Sequence, residues 1–290
     1  MAECVFCGQP ADTVEHVIPK WLQNYFKLFD QKLELSNGTT LPYRQAVLPA
    51  CVRCNGKRFA QLENRIKEGS ASQRDYDLWA LKISYCLSHK DASLFADRAN
   101  PKAGPLIPQA IADDIGPLAR HAFEALDCNA FRFSPDPFGS VMFMDTARDD
   151  FLLIDVPRPF RAVAVALPRR QHLLVLPGDR GVMATMYGKT KQLKKSMQLE
   201  FPEMADQSEI ALKLFGMLIL RSHLAIPRNV TAKPGALLAA RVPRKLPTLQ
   251  QPREVYRGVA KMLRLPDDVA DEAHARYSRM YAGQSYVRWR

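Results

Sequence analysis

The sequence predicts an α+β protein in three parts: a small cysteine-stapled module, a mixed helical and antiparallel β body, and a helical C-terminus. Three observations predict it. Four of the six cysteines fall in two pairs, Cys4-Val5-Phe6-Cys7 and Cys51-Val52-Arg53-Cys54. After residue 130 the texture changes from helical spacing to short β-type runs, and after about residue 207 helical spacing returns.

The paired cysteines define the first part. Each Cys-x-x-Cys turn aims two sulfurs at one point, and two such turns complete a four-sulfur tetrahedral site. Gly8, directly after Cys7, permits the positive φ that such a knuckle often needs. The competing reading is a pair of reversible dithiols, but redox motifs usually occur as one pair on a strand-to-helix turn. Four cysteines therefore predict a structural zinc ion. With all four ligand positions filled, this ion leaves no site for chemistry.

Beyond the second pair, Phe59, Leu62 and Ile66 recur at one-face helical spacing, and this helix should stop at Gly69. The polar run Gly69–Gln73 is the first candidate boundary. Residues 75–87 (DYDLWALKISYCL) carry apolar positions on more than one side, and a further helix is expected within 101–126, broken at Pro105, Pro108 and Pro117. Short strands follow in a meander over 130–187, with a hairpin connection at Pro168–Gln171. Helices are expected at Gln207–Leu224, Arg253–Leu263 and Asp267–Tyr281. These elements divide the chain into a module of residues 1–68 and an accessory domain of residues 69–290 for substrate or partner recognition.

Bulk properties limit the function classes. The 290 residues are 47% hydrophobic and 24% charged, a globular composition. No stretch reaches the roughly 18 uninterrupted apolar residues of a membrane span. The most apolar segment, Ala211–Leu220, is short and contains Lys213. The N-terminus lacks a secretory pattern, so a cytoplasmic location and no membrane partner are expected. The formal charge of +11, about +9 with a four-thiolate zinc site, favours approach to a polyanion.

The remaining motif lies between and after the cysteines. Glu15-His16-Val17-Ile18-Pro19-Lys20-Trp21-Leu22 follows the first pair, and the second runs directly into Asn55-Gly56-Lys57. In order and offset these residues resemble the zinc-bearing HNH endonucleases, which read Cys-x-x-Cys, Asp-His-Ile-x-Pro and Cys-x-x-Cys-Asn or Cys-x-x-Cys-His. They resemble in particular a bacterial group with Glu-His-Val-x-Pro-Lys-Trp-Leu. The likeness covers about residues 4–64. Glu15 stands in place of the usual Asp, and Ala46 stands where the family carries its middle Asn, with Gln45 beside it.

The resemblance implies a ββα-metal fold in which two strands and a helix hold one catalytic cation against the scissile phosphate. It implies His16 as general base, with Glu15 and Asn55 as ligands of Mg²⁺ or Mn²⁺, oxygen donors suited to a hard cation. Lys20, Lys57 and Arg58 are candidates for contacts to the DNA backbone. Trp21 and Leu22 read as core anchors, while Glu63 and Asn64 read as supporting residues. Double-stranded DNA is the expected substrate, and a regulatory or anti-phage defence partner is suggested by family analogy. The alternative is a zinc-dependent nucleic-acid-binding adaptor with a degenerate site; an RNA-directed nuclease is a third reading. His89, His121, His172, His223 and His274 show no metal-site spacing. The basic segments Lys189–Lys195, Arg241–Lys245 and Tyr286–Arg290 add charge without a motif.

Overall fold

The computed structural model describes residues 2–107, 109–134, 136–145, 149–156, 162–178, 181, 184, 230–239, 245–247, 253–254, 257, 266–280 and 286–288. The chain forms two compact units, Met1–Ser134 with Thr231–Leu238, and Pro135–Val230 with Ala239–Arg290.

In the first unit, strand β1 (Thr13–His16) leads into the short helix α1 (Lys20–Tyr25), and a hairpin of β2 (Lys32–Glu34) and β3 (Thr40–Pro42) follows. Strand β4 (Val47–Ala50) returns antiparallel to β1, with His16 opposite Val47 and Thr13 opposite Ala50. The second cysteine pair then opens a π-helical stretch, Arg53–Phe59, which continues into α2 (Ala60–Glu68). The expected apolar stripe is present, since Phe59, Leu62 and Ile66 are buried. Each such side chain contributes about 1.5–3 kcal/mol relative to exposure.

The expected boundary at residue 69 is a turn between two packed helices. Gly69 closes α2 with φ of 76°, the left-handed conformation that glycine adopts without a Cβ penalty. Three residues later Ser72 and Asp75 form a capping box that starts α3 (Gln73–Ala92). Arg65 of α2 bonds Asp75 of α3 across this turn at 2.6 Å.

Helix α3 is buried on all sides through its middle, and α4 (Gln109–Phe123), with Pro117 inside it, packs alongside. The rings of Phe6, Phe59 and Phe123 meet edge to face, with centroids 4.6–5.8 Å apart. Residues from the first cysteine knuckle, the π-helical stretch and α4 therefore share one core. The division at residue 68 is corrected accordingly: a 68-residue module would leave this cluster half open to water, and the unit extends to β5 (Arg132–Ser134).

The second unit holds a four-stranded antiparallel sheet of β6 (Ser140–Asp145), β7 (Leu153–Val156), β8 (Ala162–Leu167) and β9 (Gln171–Leu176). Its order is β6-β9-β8-β7, so β9 inserts between β6 and β8 where a simple meander would run in sequence. The predicted hairpin at Pro168–Gln171 joins β8 to β9, with Arg169 and Arg170 at positive φ. Strand β8, AVAVAL, is buried at every position, as expected for a strand covered on both faces.

Strands β10 (Val230–Lys233) and β11 (Ala236–Ala239) form a three-stranded sheet with β5, and β11 runs parallel to it. The FRF run thus pairs outside the predicted meander. Near the C-terminus, β12 (Lys245–Pro247) pairs with β13 (Tyr286–Arg288), and α5 (Asp267–Met280) matches the last expected helix. The helix expected at Gln207–Leu224 and most of that at Arg253–Leu263 lie outside the described residues, as do Lys189–Lys195 and His223. Among the described residues, no helix is long and apolar enough to cross a membrane.

Candidate metal centre and histidine site

The four paired cysteines converge as their spacing predicts. Their sulfurs all lie within 4.8 Å of one another, with Cys7 and Cys51 3.6 Å apart. A tetrahedron with metal–sulfur bonds of about 2.3 Å has edges of about 3.8 Å, whereas a disulfide would bring two sulfurs to about 2.05 Å. All four are free thiols, and the group can hold a metal ion such as zinc.

Backbone geometry builds the cage. The Cys7 and Gly8 amides both donate to the Cys4 carbonyl, at 3.3 and 2.8 Å, and Gly8 sits at φ of 73°. The Asn55 amide donates to the Cys51 carbonyl at 2.9 Å to form the second turn. Tyr85 of α3 donates its hydroxyl to the Val5 carbonyl at 2.7 Å and so ties the first knuckle to the core.

Charge explains why the cage calls for a cation. Burial pushes the Cys54 thiol up and raises Cys7 as well. Burial works against Cys51 too, but hydrogen bonds from the Cys54 amide and the Cys7 thiol outweigh it and hold Cys51 down. Thiols packed this closely ionise together more readily when a cation lies among them.

Arg58 belongs to this cage. Its side chain is only 7% exposed; Nη1 lies 3.7 Å from the Cys54 sulfur, while Nε and Nη2 hold Asp127. The expectation that Arg58 contacts a nucleic acid is therefore corrected: its guanidinium is committed to a sulfur and a carboxylate. Lys20 and Lys57 are exposed, as a backbone-contact role requires.

The other candidate residues lie on β1 or bond to it. Asn55 donates its side-chain amide to the Val14 carbonyl at 2.8 Å and to the Thr13 hydroxyl at 3.2 Å. This fixes the amide plane and leaves its oxygen as the remaining acceptor. His16 is half-buried, and burial, with the Lys20 and Lys82 charges, holds its imidazole below the ordinary value. A neutral imidazole is the form that accepts a proton.

Glu15 has an environment that the sequence did not reveal. Its side chain is 5% exposed, and Oε1 lies 2.5 Å from Nζ of Lys82, which no solvent reaches. The same ammonium is 2.5 Å from Glu63 Oε1 and 3.5 Å from the His16 carbonyl. Burial alone would push Lys82 down, but Glu63 and Glu15 outweigh it and hold the ammonium charged. Burial raises Glu15 against the opposing pull of Lys82, and Glu63 adds to the rise. Lys82 is the residue missed at the sequence level. Its signal was a lysine flanked by apolar residues on both sides, in Leu81-Lys82-Ile83.

The loop after His16 is held by backbone and glutamine hydrogen bonds. Ala46 is buried, and its carbonyl accepts the Val17 amide at 2.8 Å. Buried Gln23 donates to the Ile18 carbonyl at 2.7 Å, whereas Gln45 is exposed. Trp21 stacks on Trp79 of α3 and Leu22 is fully buried, as core anchors should be.

In kind, a carboxylate and an amide oxygen are donors that suit a hard cation, while the Glu15 carboxylate is paired with Lys82. Among the described residues, the four cysteines are the only group of three or more His, Cys, Asp and Glu side chains placed to hold a metal. Comparison of the chain with protein-family models, curated proteins and solved structures finds no match.

Proposed function

We propose that the chain is a metal-dependent HNH-type endonuclease that hydrolyses DNA phosphodiester bonds. Zinc on Cys4, Cys7, Cys51 and Cys54 is its structural ion, and Mg²⁺ or Mn²⁺ is its catalytic one. The observation that carries the reading is the bond from Asn55 to Val14. It ties the start of a helix to the strand that ends in His16, between two cysteine pairs that brace both.

Each side chain then has a task. His16, kept neutral, takes the proton from the attacking water. Asn55 through its amide oxygen and Glu15 through its carboxylate would hold the cation. That ion stabilises charge on the phosphate and on the leaving oxygen when bound. Lys20 and Lys57 attract the DNA backbone. Zinc suits the thiolate cage, because four soft sulfur ligands at tetrahedral spacing close its coordination.

The test is conversion of supercoiled plasmid to nicked or linear forms, with and without Mn²⁺, alongside single-stranded DNA and RNA. The proposal expects metal-dependent cutting of DNA that leaves 5′ phosphates. A zinc-dependent adaptor is the second reading, favoured by Ala46 at the family's Asn position and by the burial of Glu15. It predicts DNA binding without cutting under any divalent metal. A role in anti-phage defence follows from the same family analogy alone.

A further inference from the structure

Two carboxylates and one ammonium meet beneath the His16 strand, and their arithmetic is unusual. Glu15 and Glu63 each place an oxygen 2.5 Å from Lys82 Nζ, so their bonded oxygens stand no more than about 5 Å apart across one cation. The centroid of the Phe59 ring lies 5.5 Å from the same ammonium and adds a cation–π contact. Lys82 comes from α3, Glu63 from α2 and Glu15 from β1, so the cation joins three elements.

We infer that Lys82 is a tethered countercation that occupies this carboxylate pair and keeps the divalent-metal affinity of Glu15 low in the free protein. Metal binding at Glu15 then depends on the anionic backbone of the nucleic acid. The inference rests on the proposed nuclease reading for the identity of the metal and of the anion.

The charge balance leads to this dependence. With both carboxylates ionised and Lys82 charged, the cluster sums to −1, and Asn55 adds none. Hard divalent cations held by few carboxylates rely on substrate phosphates for the remaining negative ligands. Removing the ammonium brings the cluster to −2 and frees the second carboxylate for a metal. Removing the Glu63 charge brings it to zero and leaves Lys82 to Glu15 alone. The two changes therefore move metal affinity in opposite directions. A lysine that merely filled space or braced the fold would not give opposite signs.

The experiment measures Mn²⁺ bound by the free, zinc-loaded full chain, using electron paramagnetic resonance of unbound Mn²⁺, for the parent, Lys82→Met and Glu63→Gln. The expected result is about tenfold or more tighter binding in Lys82→Met and weaker binding in Glu63→Gln. A second titration with a non-cleavable phosphorothioate duplex should tighten Mn²⁺ binding to the parent more than to Lys82→Met. Unchanged or weaker binding in a folded Lys82→Met overturns the inference. If Lys82→Met does not fold, Glu63→Gln decides: weaker binding supports the countercation, and unchanged binding overturns it. Absence of DNA cutting by the parent would defeat the nuclease reading, while the Mn²⁺ measurements would still decide the role of Lys82.

Discussion

The Asn55 side chain donates to the Val14 carbonyl over 2.8 Å, which fastens the residue after the fourth cysteine to the strand carrying Glu15 and His16. One residue thus links the thiolate cage to the histidine site.

Asn55→Ala removes both the tether and the amide oxygen. A hydrogen bond of this kind contributes about 0.5–1.5 kcal/mol, so a modest fall in melting temperature of a few degrees is expected. Cutting should fall much further, by about 100-fold, because the cation loses a ligand. Melting by circular dichroism and plasmid nicking on one preparation separate the two effects. Equal, small losses in both would reduce Asn55 to a structural role.

Arg58→Met should loosen the cage without weakening DNA binding. The guanidinium beside Cys54 offsets thiolate charge and is held by Asp127. Residues that support metal ligands typically alter affinity 10- to 100-fold, so zinc transfer to a competing chelator should become about tenfold more favourable. Lys57→Met, on an exposed residue, should do the reverse: zinc retention unchanged, DNA affinity reduced, with a shallower salt dependence. An Arg58 variant that binds DNA poorly and keeps its zinc would restore the contact role.

Cys51→Ser should release the metal and unfold the first unit. The knuckle residue Phe6 packs on Phe59 and Phe123, so loss of the cage opens the core shared with α4. Expected are less than one zinc per chain by elemental analysis and lost amide protection across residues 2–134. Zinc uptake by the apo chain should release protons, since buried thiols such as Cys54 must ionise to bind it. Retention of one zinc and full protection would contradict the cage.

The cysteine cage and the α2 face were legible because both depend on local spacing: Cys-x-x-Cys fixes two sulfurs, and Phe59, Leu62 and Ile66 fix a helix face. The Glu15–Lys82–Glu63 cluster was not, since its members lie on three elements and meet only through packing. The break at residue 69 was misleading for a related reason. A helix-ending glycine and a capping serine have the composition of a linker, although Gly69 and Ser72 join two packed helices. The β6–β9 pairing depended on long-range register that alternating apolar residues do not encode.

The pH response of cutting should follow His16. Its imidazole is held below the ordinary value by burial and by the Lys20 and Lys82 charges, so the base stays available at pH 6.5 and cutting should decline only under more acidic conditions. Stability has the matching sign. As pH falls below about 6.5 the unfolded chain takes up the proton first, so the His16 contribution is lost from there down to its folded value. Lys20→Gln removes one opposing charge and should move the acid limb of the activity profile upward. A limb that does not move, in a variant that still cuts, would detach His16 from the pH dependence.

The proposed role of His16 is that of the base in a metal-dependent nuclease. Its most direct test is single-turnover plasmid nicking in Mn²⁺ by the parent and by His16→Ala, both verified to hold zinc and to melt alike. Loss of the base should slow cutting by about 10²- to 10⁴-fold while DNA binding stays unchanged. Equal rates in the two proteins, or no cutting by the zinc-loaded parent with any divalent metal, would contradict it.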